Sequence, residues 1–268
     1  MEDADDIASR LLKAHDAGAT IARVSDTIPG FDIPAAYRVS AAITAKRFAR
    51  GEKPVGWKIG YTNRAVQQAY GVLHPIWGRM YDTTVTGLAP GAIAEYDIAH
   101  VAEPRIEPEI TVRIVRSPEA GMGPAELIGC IDAVSHGCEI VTSVFRDWKG
   151  TATDSVAAGS LHARYFHGRF VPVDNSRDWL GALTDVEVTL ARNGVVMDRG
   201  VGSNALDGPL HALSHFVRGL HETSGERLKP GEIVTTGTLT QALLVYPGET
   251  WTTEIGGLPL DGIRIAFR

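Results

Sequence analysis

The chain has 268 residues, of which 44% are hydrophobic and 22% are charged, and its formal net charge is −6. This length allows one large domain or a domain with a sizeable extension, and the apolar content is sufficient for a hydrophobic core. The acidic balance lacks the basic footprint of a nucleic-acid-binding protein, and no run of about 18 apolar residues predicts a membrane span.

The cysteines and the N-terminus favour a protein that stays inside the cell. Cys130 and Cys138 match neither a disulfide framework nor a zinc-ligand pattern, so we expect two buried thiols in a reducing compartment. The first residues are acidic and precede no apolar segment, which argues against a signal peptide. We therefore expect a cytoplasmic protein that binds neither nucleic acid nor membranes.

Residues 1–54 are predicted to form a helical N-terminal section. Apolar residues at helical spacing predict a helix over residues 4–17, with Gly18 as its stop. Asp32 is expected to cap a second helix that carries Pro34 in its first turn. The apolar stripe of that helix is expected to comprise Tyr37, Ala41, Thr44 and Phe48, with Ile43 beside it. We expect the section to pack on the main domain or on a partner subunit.

Residues 55–268 are predicted to form a β-rich domain, which begins with a short strand around Lys58. This lysine lies between Trp57 and Ile59, and such apolar neighbours can lower the pKa of a lysine so that it acts as an acid or a base. The alternative is a lysine on an edge strand that faces water. Residues 64–70 are expected to form a short helix.

The segment Glu103–Ile114 alternates between apolar and polar residues, which predicts a strand. Glu107 and Glu109 share one face of this strand, roughly 7 Å apart along the chain, so both can bind one divalent cation. Pro108 lies between them and lacks an N–H group, so we expect an edge strand or a bulge there. The pattern alone also fits an ordinary polar face that is exposed to water.

The middle of the chain adds a third carboxylate and a candidate ligand loop. Pro124–Ser135 is predicted to be a helix that stops at Gly137, and a strand over residues 138–142 follows directly. Glu139 lies at the head of that strand. Residues 149–160 are small and polar, which is typical of a loop that approaches a ligand or covers it.

The C-terminal half is predicted to be β-rich with helices inserted. Asn193-Gly194 predicts a type I′ hairpin, and Asp207 is expected to cap a helix from Pro209 to Glu222. Short strands are expected at Ile233–Thr236, Leu243–Tyr246, Trp251–Ile255 and Ile263–Phe267. The βαβα rhythm of a doubly wound sheet is absent, which favours the α+β class.

The candidate chemistry rests on oxygen ligands. The three carboxylates Glu107, Glu109 and Glu139 suit a hard cation such as Mg²⁺ or Mn²⁺. The nine histidines show no strong metal spacing, and we interpret them as surface or packing residues. The sequence contains neither a Gly-x-Ser-x-Gly elbow nor a phosphate-binding loop.

Four segments carry a family resemblance, and they are Gly56–Thr62, Arg105–Ile110, Glu139–Val141 and Pro230–Thr240. The first is similar to the Lys-Ile-Gly-Leu-Thr signature of the 2-keto-4-pentenoate hydratase and 4-oxalocrotonate (2-oxo-3-hexenedioate) decarboxylase family. This family is a branch of the fumarylacetoacetate hydrolase superfamily. The second segment looks like the family's Arg-Ile-Glu-x-Glu-Ile metal strand, and the third resembles the segment with the third carboxylate ligand. The likeness extends from about Asp32 to the C-terminus.

The resemblance implies a mixed β-roll or barrel core of the fumarylacetoacetate-hydrolase C-terminal type behind the helical section. It implies that Glu107, Glu109 and Glu139 bind Mg²⁺ or Mn²⁺, which a small 2-oxo acid chelates through its carboxylate and 2-oxo oxygen. Lys58 is then the catalytic proton shuttle or the electrostatic partner of the substrate. The implied substrate-binding residues are Thr62, Arg105, Ser160 and Thr238.

The implied activity is that of a metal-dependent lyase in aromatic catabolism. Ile76 in Pro75–Gly78 resembles the decarboxylases and favours loss of carbon dioxide from a 2-oxo-3-enedioate. Arg146–Lys149 looks more like the hydratases, which add water to a 2-hydroxypenta-2,4-dienoate-type substrate. Residues 157–161 depart from the family pattern, so the substrate stays open between these two classes.

Three alternatives accompany this expectation. A carbon–carbon hydrolase of the same superfamily is less favoured, because the sequence does not place a histidine–carboxylate pair that would activate water. The resemblance implies a homo-oligomer, and family decarboxylases associate with hydratases, so a complex with such a relative or a non-catalytic partner subunit is a second alternative. A plain structural barrel would show no metal affinity.

Overall fold

The computed structural model describes residues 3–64, 67–68, 72 and 74–268. The helix predicted over residues 64–70 therefore lies partly outside the described residues. The described α-helices are α1 (Ala4–Asp16), α2 (Val24–Thr27), α3 (Ile33–Ala49), α4 (Pro124–Leu127), α5 (Ala152–Ala157), α6 (Trp179–Asp185) and α7 (Pro209–Ser224). The described strands are β1 (Pro54–Gly60), β2 (Ile76–Tyr81), β3 (Val85–Gly87), β4 (Ala94–Tyr96), β5 (Arg105–Ile114), β6 (Ile131–Val141), β7 (His162–His167), β8 (Val171–Pro172), β9 (Glu187–Arg192), β10 (Val195–Val201), β11 (Ile233–Thr238), β12 (Leu243–Leu244), β13 (Thr250–Gly256) and β14 (Arg264–Phe267).

Helices α1 and α3 each begin directly after an aspartate that caps the helix. The Asp3 side chain accepts hydrogen bonds from the backbone N–H groups of Asp5 and Asp6, both at 2.9 Å. Asp32 accepts one from the N–H group of Ala35 at 2.8 Å. Each bond satisfies a donor that the first turn of a helix leaves unpaired. The predicted starts of α1 and α3 are confirmed.

The buried face of α3 differs from the predicted stripe. Ala36, Val39 and Ile43 are buried, whereas the Phe48 side chain is 44% exposed. Both sets have the spacing of one helix face, so spacing alone does not separate them. Packing against α1 and against later residues such as Val144 selects the first set.

The strands of the described chain form two sheets. The strand order of the larger sheet is β2-β1-β11-β5-β6-β7-β3, with β12 beside β5 and β8 beside β6. The smaller sheet has the order β10-β9-β13-β14-β4. β1 runs parallel to β11 and β3 parallel to β7, while the other pairs in the larger sheet are antiparallel. The predicted α+β class with a mixed β-roll core is confirmed.

The boundary predicted after residue 54 stays a prediction. Helices α1 to α3 precede β1 in the chain, but they bury side chains against Ile76, Val144 and Val156 from the later section. The helical section therefore shares a core with the sheet that follows it.

β5 lies in the middle of the larger sheet, so the edge strand predicted at Pro108 is wrong. An irregularity does occur nearby, but it lies in the partner strand, because the pairing of β11 with β5 shifts between Thr235 and Thr238. The Pro108 carbonyl accepts a hydrogen bond from the N–H group of Leu239 at 2.9 Å. Since the N and O atoms of one residue face the same neighbouring strand, the missing N–H group falls where the ladder is already interrupted.

The helix predicted over Pro124–Ser135 is wrong from Ile131 onwards. Only α4 and a following 3₁₀ turn are helical, and β6 begins at Ile131 and continues through Gly137. This strand pairs with β5 along its length and is buried on both faces. A strand buried on both faces lacks simple alternation, so its apolar spacing imitates a helix.

Two smaller corrections concern a helix that was predicted as a loop and the N-cap of α7. Residues 149–160 contain α5 instead of an open loop, because Thr151 and Asp154 cap the helix reciprocally. The N-cap of α7 is Gly208 and not Asp207, whose carboxylate pairs with Arg64.

The predicted hairpin and the two predicted buried thiols are confirmed. Asn193 and Gly194 both have positive φ (50° and 81°) and join β9 to β10 as a type I′ turn requires. Cys130 and Cys138 are free and buried. No helix in the described part of the chain is long and apolar enough to cross a membrane.

Candidate metal centre

Three glutamates converge on the larger sheet. Glu107 and Glu109 are two residues apart on β5, and Glu139 on β6 lies directly opposite Glu107 in the antiparallel ladder. One carboxylate oxygen from each glutamate lies within 4.8 Å of the other two. Like charges opposite each other in a ladder are destabilising, so this arrangement calls for a positive counter-charge.

Burial distinguishes this cluster from an ordinary polar strand face. The Glu109 and Glu139 side chains are 0% exposed, which excludes a face exposed to water. Burial, with repulsion from Glu139, raises the pKa of Glu109 well above its ordinary value, and burial raises the pKa of Glu107 to about 7. Burial also raises the pKa of Glu139, but Lys58 and then His162 outweigh it and hold this pKa below its ordinary value.

One oxygen of the cluster, Glu109 Oε1, has no hydrogen-bond partner within the described residues, whereas Glu139 Oε2 is paired with the Lys58 ammonium group at 3.2 Å. Glu109 Oε2, in contrast, accepts a hydrogen bond from the N–H group of Gly237 at 2.8 Å. A buried carboxylate oxygen without a partner costs free energy. Carboxylate oxygens are the ligands that hard divalent cations prefer, so the cluster fits Mg²⁺ or Mn²⁺.

Gly237 approaches Glu109 because it has no side chain. Its φ is +96°, which L residues rarely adopt, and it lies in the interruption of the β11 ladder. A Cβ atom at this position would lie 1.9 Å from Thr62 Oγ1. The glycine therefore allows Glu109, the backbone of β11 and Thr62 to pack together.

Lys58 on β1 reaches the same cluster. Its side chain is buried, its Nζ lies 3.2 Å from Glu139 Oε2, and it donates a hydrogen bond to the Ser160 carbonyl at 3.1 Å. The alternative of a lysine that faces water is excluded. The expected lowering of its pKa is wrong, because burial lowers the pKa of Lys58 but the charges of the three glutamates outweigh burial and raise it.

Thr62 and Thr238, two of the predicted substrate-binding residues, lie beside Glu109. Thr238 is opposite Glu109 in the pairing of β11 with β5, and its hydroxyl donates to the Thr240 carbonyl at 3.1 Å. Thr62 is buried against Gly237, and its Oγ1 has no hydrogen-bond partner in the part of the chain that the structure describes.

The other two predicted substrate-binding residues, Arg105 and Ser160, are also near the cluster. Arg105 is two residues before Glu107 on β5, and its guanidinium carbon lies 4.4 Å from the ring centre of Trp148. Ser160 is buried at a φ of 57°, and its hydroxyl donates to the Trp77 carbonyl at 2.6 Å. Ser160 therefore faces the cluster through the carbonyl that holds Lys58.

Sequence analysis missed His162 at this site. Its Nδ1 atom lies 2.7 Å from Glu139 Oε1, and its side chain is buried. The interpretation of the histidines as surface or packing residues is therefore wrong for His162. The structure thus forms a histidine–carboxylate pair that the sequence did not reveal, because the two residues lie on neighbouring strands.

Comparisons with known proteins agree with this architecture. The family model for the fumarylacetoacetate (FAA) hydrolase C-terminal domain matches residues 80–262. The chain is 32% identical to 2-keto-4-pentenoate hydratase of Burkholderia vietnamiensis, over 97% of this chain and 96% of that protein. It is 28% identical to 4-oxalocrotonate decarboxylase of a Pseudomonas species, over 93% and 94% of the two chains.

A solved structure is also similar to this chain. It is 4-oxalocrotonate decarboxylase from Pseudomonas putida G7, complexed with magnesium and adipate. The TM-score is 0.91 at 26% sequence identity, and the match covers 99% of this chain and 97% of that one. The family model and these relatives together show that the chain belongs to the fumarylacetoacetate hydrolase family.

Proposed function

We propose that the chain is a divalent-metal-dependent lyase that acts on a 2-oxo-enoate or a 2-hydroxydienoate from aromatic catabolism. The observation that carries this proposal is the cluster of Glu107, Glu109 and Glu139, in which the buried Glu109 Oε1 lacks a hydrogen-bond partner among the described residues. Similarity to hydratases and decarboxylases of this type over more than nine-tenths of the chain supports the substrate class.

The glutamates and Lys58 have different roles in the proposed reaction. The three glutamates hold Mg²⁺ or Mn²⁺. When bound, the cation supplies a Lewis acid for the substrate's carboxylate and 2-oxo oxygen and stabilises charge on the 2-oxygen. Lys58 is fixed by the Ser160 carbonyl at 3.1 Å, and its raised pKa makes it an ammonium group. It therefore provides a positive charge beside the substrate, which is the electrostatic role of the two that the family resemblance implies.

We further propose that Thr62, Arg105 and Thr238 contact the substrate. Thr62 offers a buried hydroxyl group without a partner among the described residues, and Thr238 lies opposite Glu109. Arg105 lies on the face of β5 that carries Glu107, and its guanidinium group suits a carboxylate of the substrate. Thr238 lies on β11 beside β5, Arg105 lies on β5 itself, and Thr62 follows β1, which pairs with the other side of β11.

Decarboxylation of a 2-oxo-3-enedioate is the first candidate reaction. The solved decarboxylase at a TM-score of 0.91 is complexed with adipate, a six-carbon dicarboxylate like such a substrate. Hydration of a 2-hydroxydienoate is the second candidate, because the match at 32% identity is a hydratase. Both reactions develop negative charge on the 2-oxygen, so one cluster of this kind can serve either.

A turnover assay of the purified protein with added Mg²⁺ or Mn²⁺ tests the proposal. It offers 2-oxohex-3-enedioate and 2-hydroxypenta-2,4-dienoate separately, with Lys58→Ala and Glu107→Ala as control variants. Release of carbon dioxide from the first, lost in both variants, is the expected result. Consumption of the second alone makes the chain a hydratase. Turnover that persists in both variants contradicts the proposed centre.

The assembly of the chain is a separate proposal. We propose a cytoplasmic homo-oligomer, and a complex with a related hydratase or decarboxylase follows from the family resemblance. A non-catalytic partner subunit would bind Mn²⁺ but show no turnover with either substrate. Size-exclusion chromatography with light scattering, with and without such a relative, measures both kinds of association.

A further inference from the structure

His162 has no part in the function proposed above, yet it touches the metal centre. Its side chain is 3% exposed, and its Nδ1 lies 2.7 Å from Glu139 Oε1. On the other side of the ring, its Nε2 lies 2.8 Å from Thr84 Oγ1. Both ring nitrogens are therefore engaged, and the imidazole has one fixed orientation.

A bulge in β7 turns His162 towards Glu139. The ladder pairs Tyr165 with Glu139. Two residues further along β6, Val141 pairs with His162 instead of Ala163. Residues two apart on a strand share a face, so the partner of Val141 lies on the face of Glu139. In a regular ladder His162 would point to the opposite face.

The hydrogen bonds around His162 have a defined direction. An ionised carboxylate only accepts hydrogen bonds, so Nδ1 carries the proton and donates it to Glu139. In the neutral ring, Nε2 is then an acceptor, and the Thr84 hydroxyl group beside it has its single proton shared between this Nε2 at 2.8 Å and the Tyr81 carbonyl at 3.1 Å. Thr84 Oγ1 in turn accepts from the N–H group of Tyr81 at 3.1 Å. A continuous chain of hydrogen bonds thus joins the backbone of β2 to the Glu139 carboxylate.

We propose that His162 is a positioning residue that holds Glu139 in the orientation needed for metal binding. With Oε1 held by His162, Oε2 is the oxygen that lies 3.2 Å from the Lys58 ammonium group, and as a carboxylate oxygen it keeps a further lone pair for a metal ion. Oε2 is therefore presented to a cation. Residues that orient a metal ligand typically contribute about 10- to 100-fold to metal affinity. This inference rests on the metal centre proposed above.

A matched pair of variants tests the role of the hydrogen bond. His162→Leu keeps most of the side-chain volume but removes both nitrogens. In His162→Asn, the side-chain amide can donate to Glu139 from about the position of Nδ1. Isothermal titration of the chelator-treated full chain with MnCl₂ measures the affinity, and thermal unfolding without metal monitors the fold. We expect about 10- to 100-fold weaker Mn²⁺ binding for His162→Leu and a change within about threefold for His162→Asn.

The outcomes separate this inference from the metal centre itself. Wild-type affinity in His162→Leu, or an equal loss in both variants, overturns the positioning role. If His162→Leu does not fold, Thr84→Val and Thr84→Ser form a second pair, and weaker Mn²⁺ binding in Thr84→Val alone is the supporting result, whereas equal affinity overturns it. Glu107→Gln is measured in parallel. If that variant binds Mn²⁺ as tightly as the wild type, the proposed function fails, whatever the His162 variants show.

Discussion

Two buried acidic sites in this chain use their carboxylate oxygens in opposite ways. Asp154 accepts hydrogen bonds from the N and Oγ of Ser25 at 2.9 and 2.7 Å, and from the N and Oγ1 of Thr151 at 2.9 and 2.7 Å. Glu109 accepts one hydrogen bond, from Gly237, and its Oε1 has no hydrogen-bond partner within the described residues. The first site is saturated by the protein, and the second keeps an oxygen available.

The electrostatics of the two sites follow from this difference. Burial raises the pKa of Asp154, but hydrogen bonds from Ser25 and Thr151 outweigh it and hold the pKa below its ordinary value. Burial raises the pKa of Glu109, and one hydrogen bond does not compensate for it. A carboxylate that stabilises the fold thus has its hydrogen bonds supplied by the protein. A carboxylate that binds a cation keeps an oxygen without a hydrogen bond, which lowers the stability of the metal-free protein.

Glu109→Gln is expected to have the largest effect and to separate metal binding from stability. Glutamine has the same shape but removes a buried charge that Glu139 and Glu107 repel. We expect Mn²⁺ affinity to fall by about 100-fold or more, because a direct ligand contributes at least as much as an orienting residue. The unfolding temperature in a chelator should stay equal or rise. Calorimetric titration and thermal unfolding measure the two quantities.

The opposite result would contradict the comparison. A Glu109→Gln protein that unfolds at a lower temperature and still binds Mn²⁺ as the wild type does would make Glu109 a structural residue like Asp154.

Asp154→Ala should affect stability alone. It leaves the donors on Ser25 and Thr151 without their acceptor, and it removes the reciprocal cap of α5. We expect the free energy of unfolding in urea to fall by about 2–4 kcal/mol. Mn²⁺ affinity should remain within about threefold of the wild type. Weaker Mn²⁺ binding in the folded variant would show that the two sites are coupled.

Gly237→Ala should disturb both properties, because the Gly237 N–H group donates a hydrogen bond to the Glu109 carboxylate. A Cβ atom would clash with Thr62 Oγ1 and shift the N–H group from Glu109. We expect a loss of about 1–3 kcal/mol in the free energy of unfolding and weaker Mn²⁺ binding. Gly231→Ala is the matched control, since Gly231 has a similar φ of +90° but no other atom within 4 Å of the added Cβ. Equal Mn²⁺ affinity in the two variants would contradict a role for the Gly237 clash.

The sequence predicts the ligand strand better than the residues around it. Alternation along β5 places Glu107 and Glu109 on one face, and this information is local. Glu139 follows from its position in a neighbouring strand and from the family resemblance. The helices α1 and α3 also follow from local signals, namely the apolar spacing before Gly18 for α1 and the capping residue Asp32 for α3.

The missed features depend on pairing between strands. His162 faces Glu139 because Ala163 forms a bulge in β7. The residue pattern within β7 does not predict this bulge. Similarly, the first half of β6 is a strand because it pairs with β5, although its apolar spacing also fits a helix. The saturated state of Asp154 requires α2 to dock beside α5, which is again a tertiary fact.

The smallest predicted effect is a dependence on pH at the saturated site. The folded-state pKa of Asp154 lies below its ordinary value of 3.8, so the unfolded chain binds this proton more readily than the folded chain. The stabilisation is therefore fully present well above pH 3.8 and is lost as the pH falls through 3.8 towards the folded pKa. Asp154→Asn removes this titration but keeps a side chain of the same size and one acceptor oxygen.

Urea unfolding of the wild type and of Asp154→Asn at pH 7 and at pH 3 measures this contribution. Other acidic groups titrate alike in both proteins, so the difference in the free energy of unfolding isolates Asp154. We expect the wild type to be more stable at pH 7 and this advantage to shrink at pH 3. An advantage that stays constant or grows on acidification would mean that the hydrogen bonds from Ser25 and Thr151 do not favour the ionised form. The contrast with the unsaturated Glu109 would then lose its electrostatic basis.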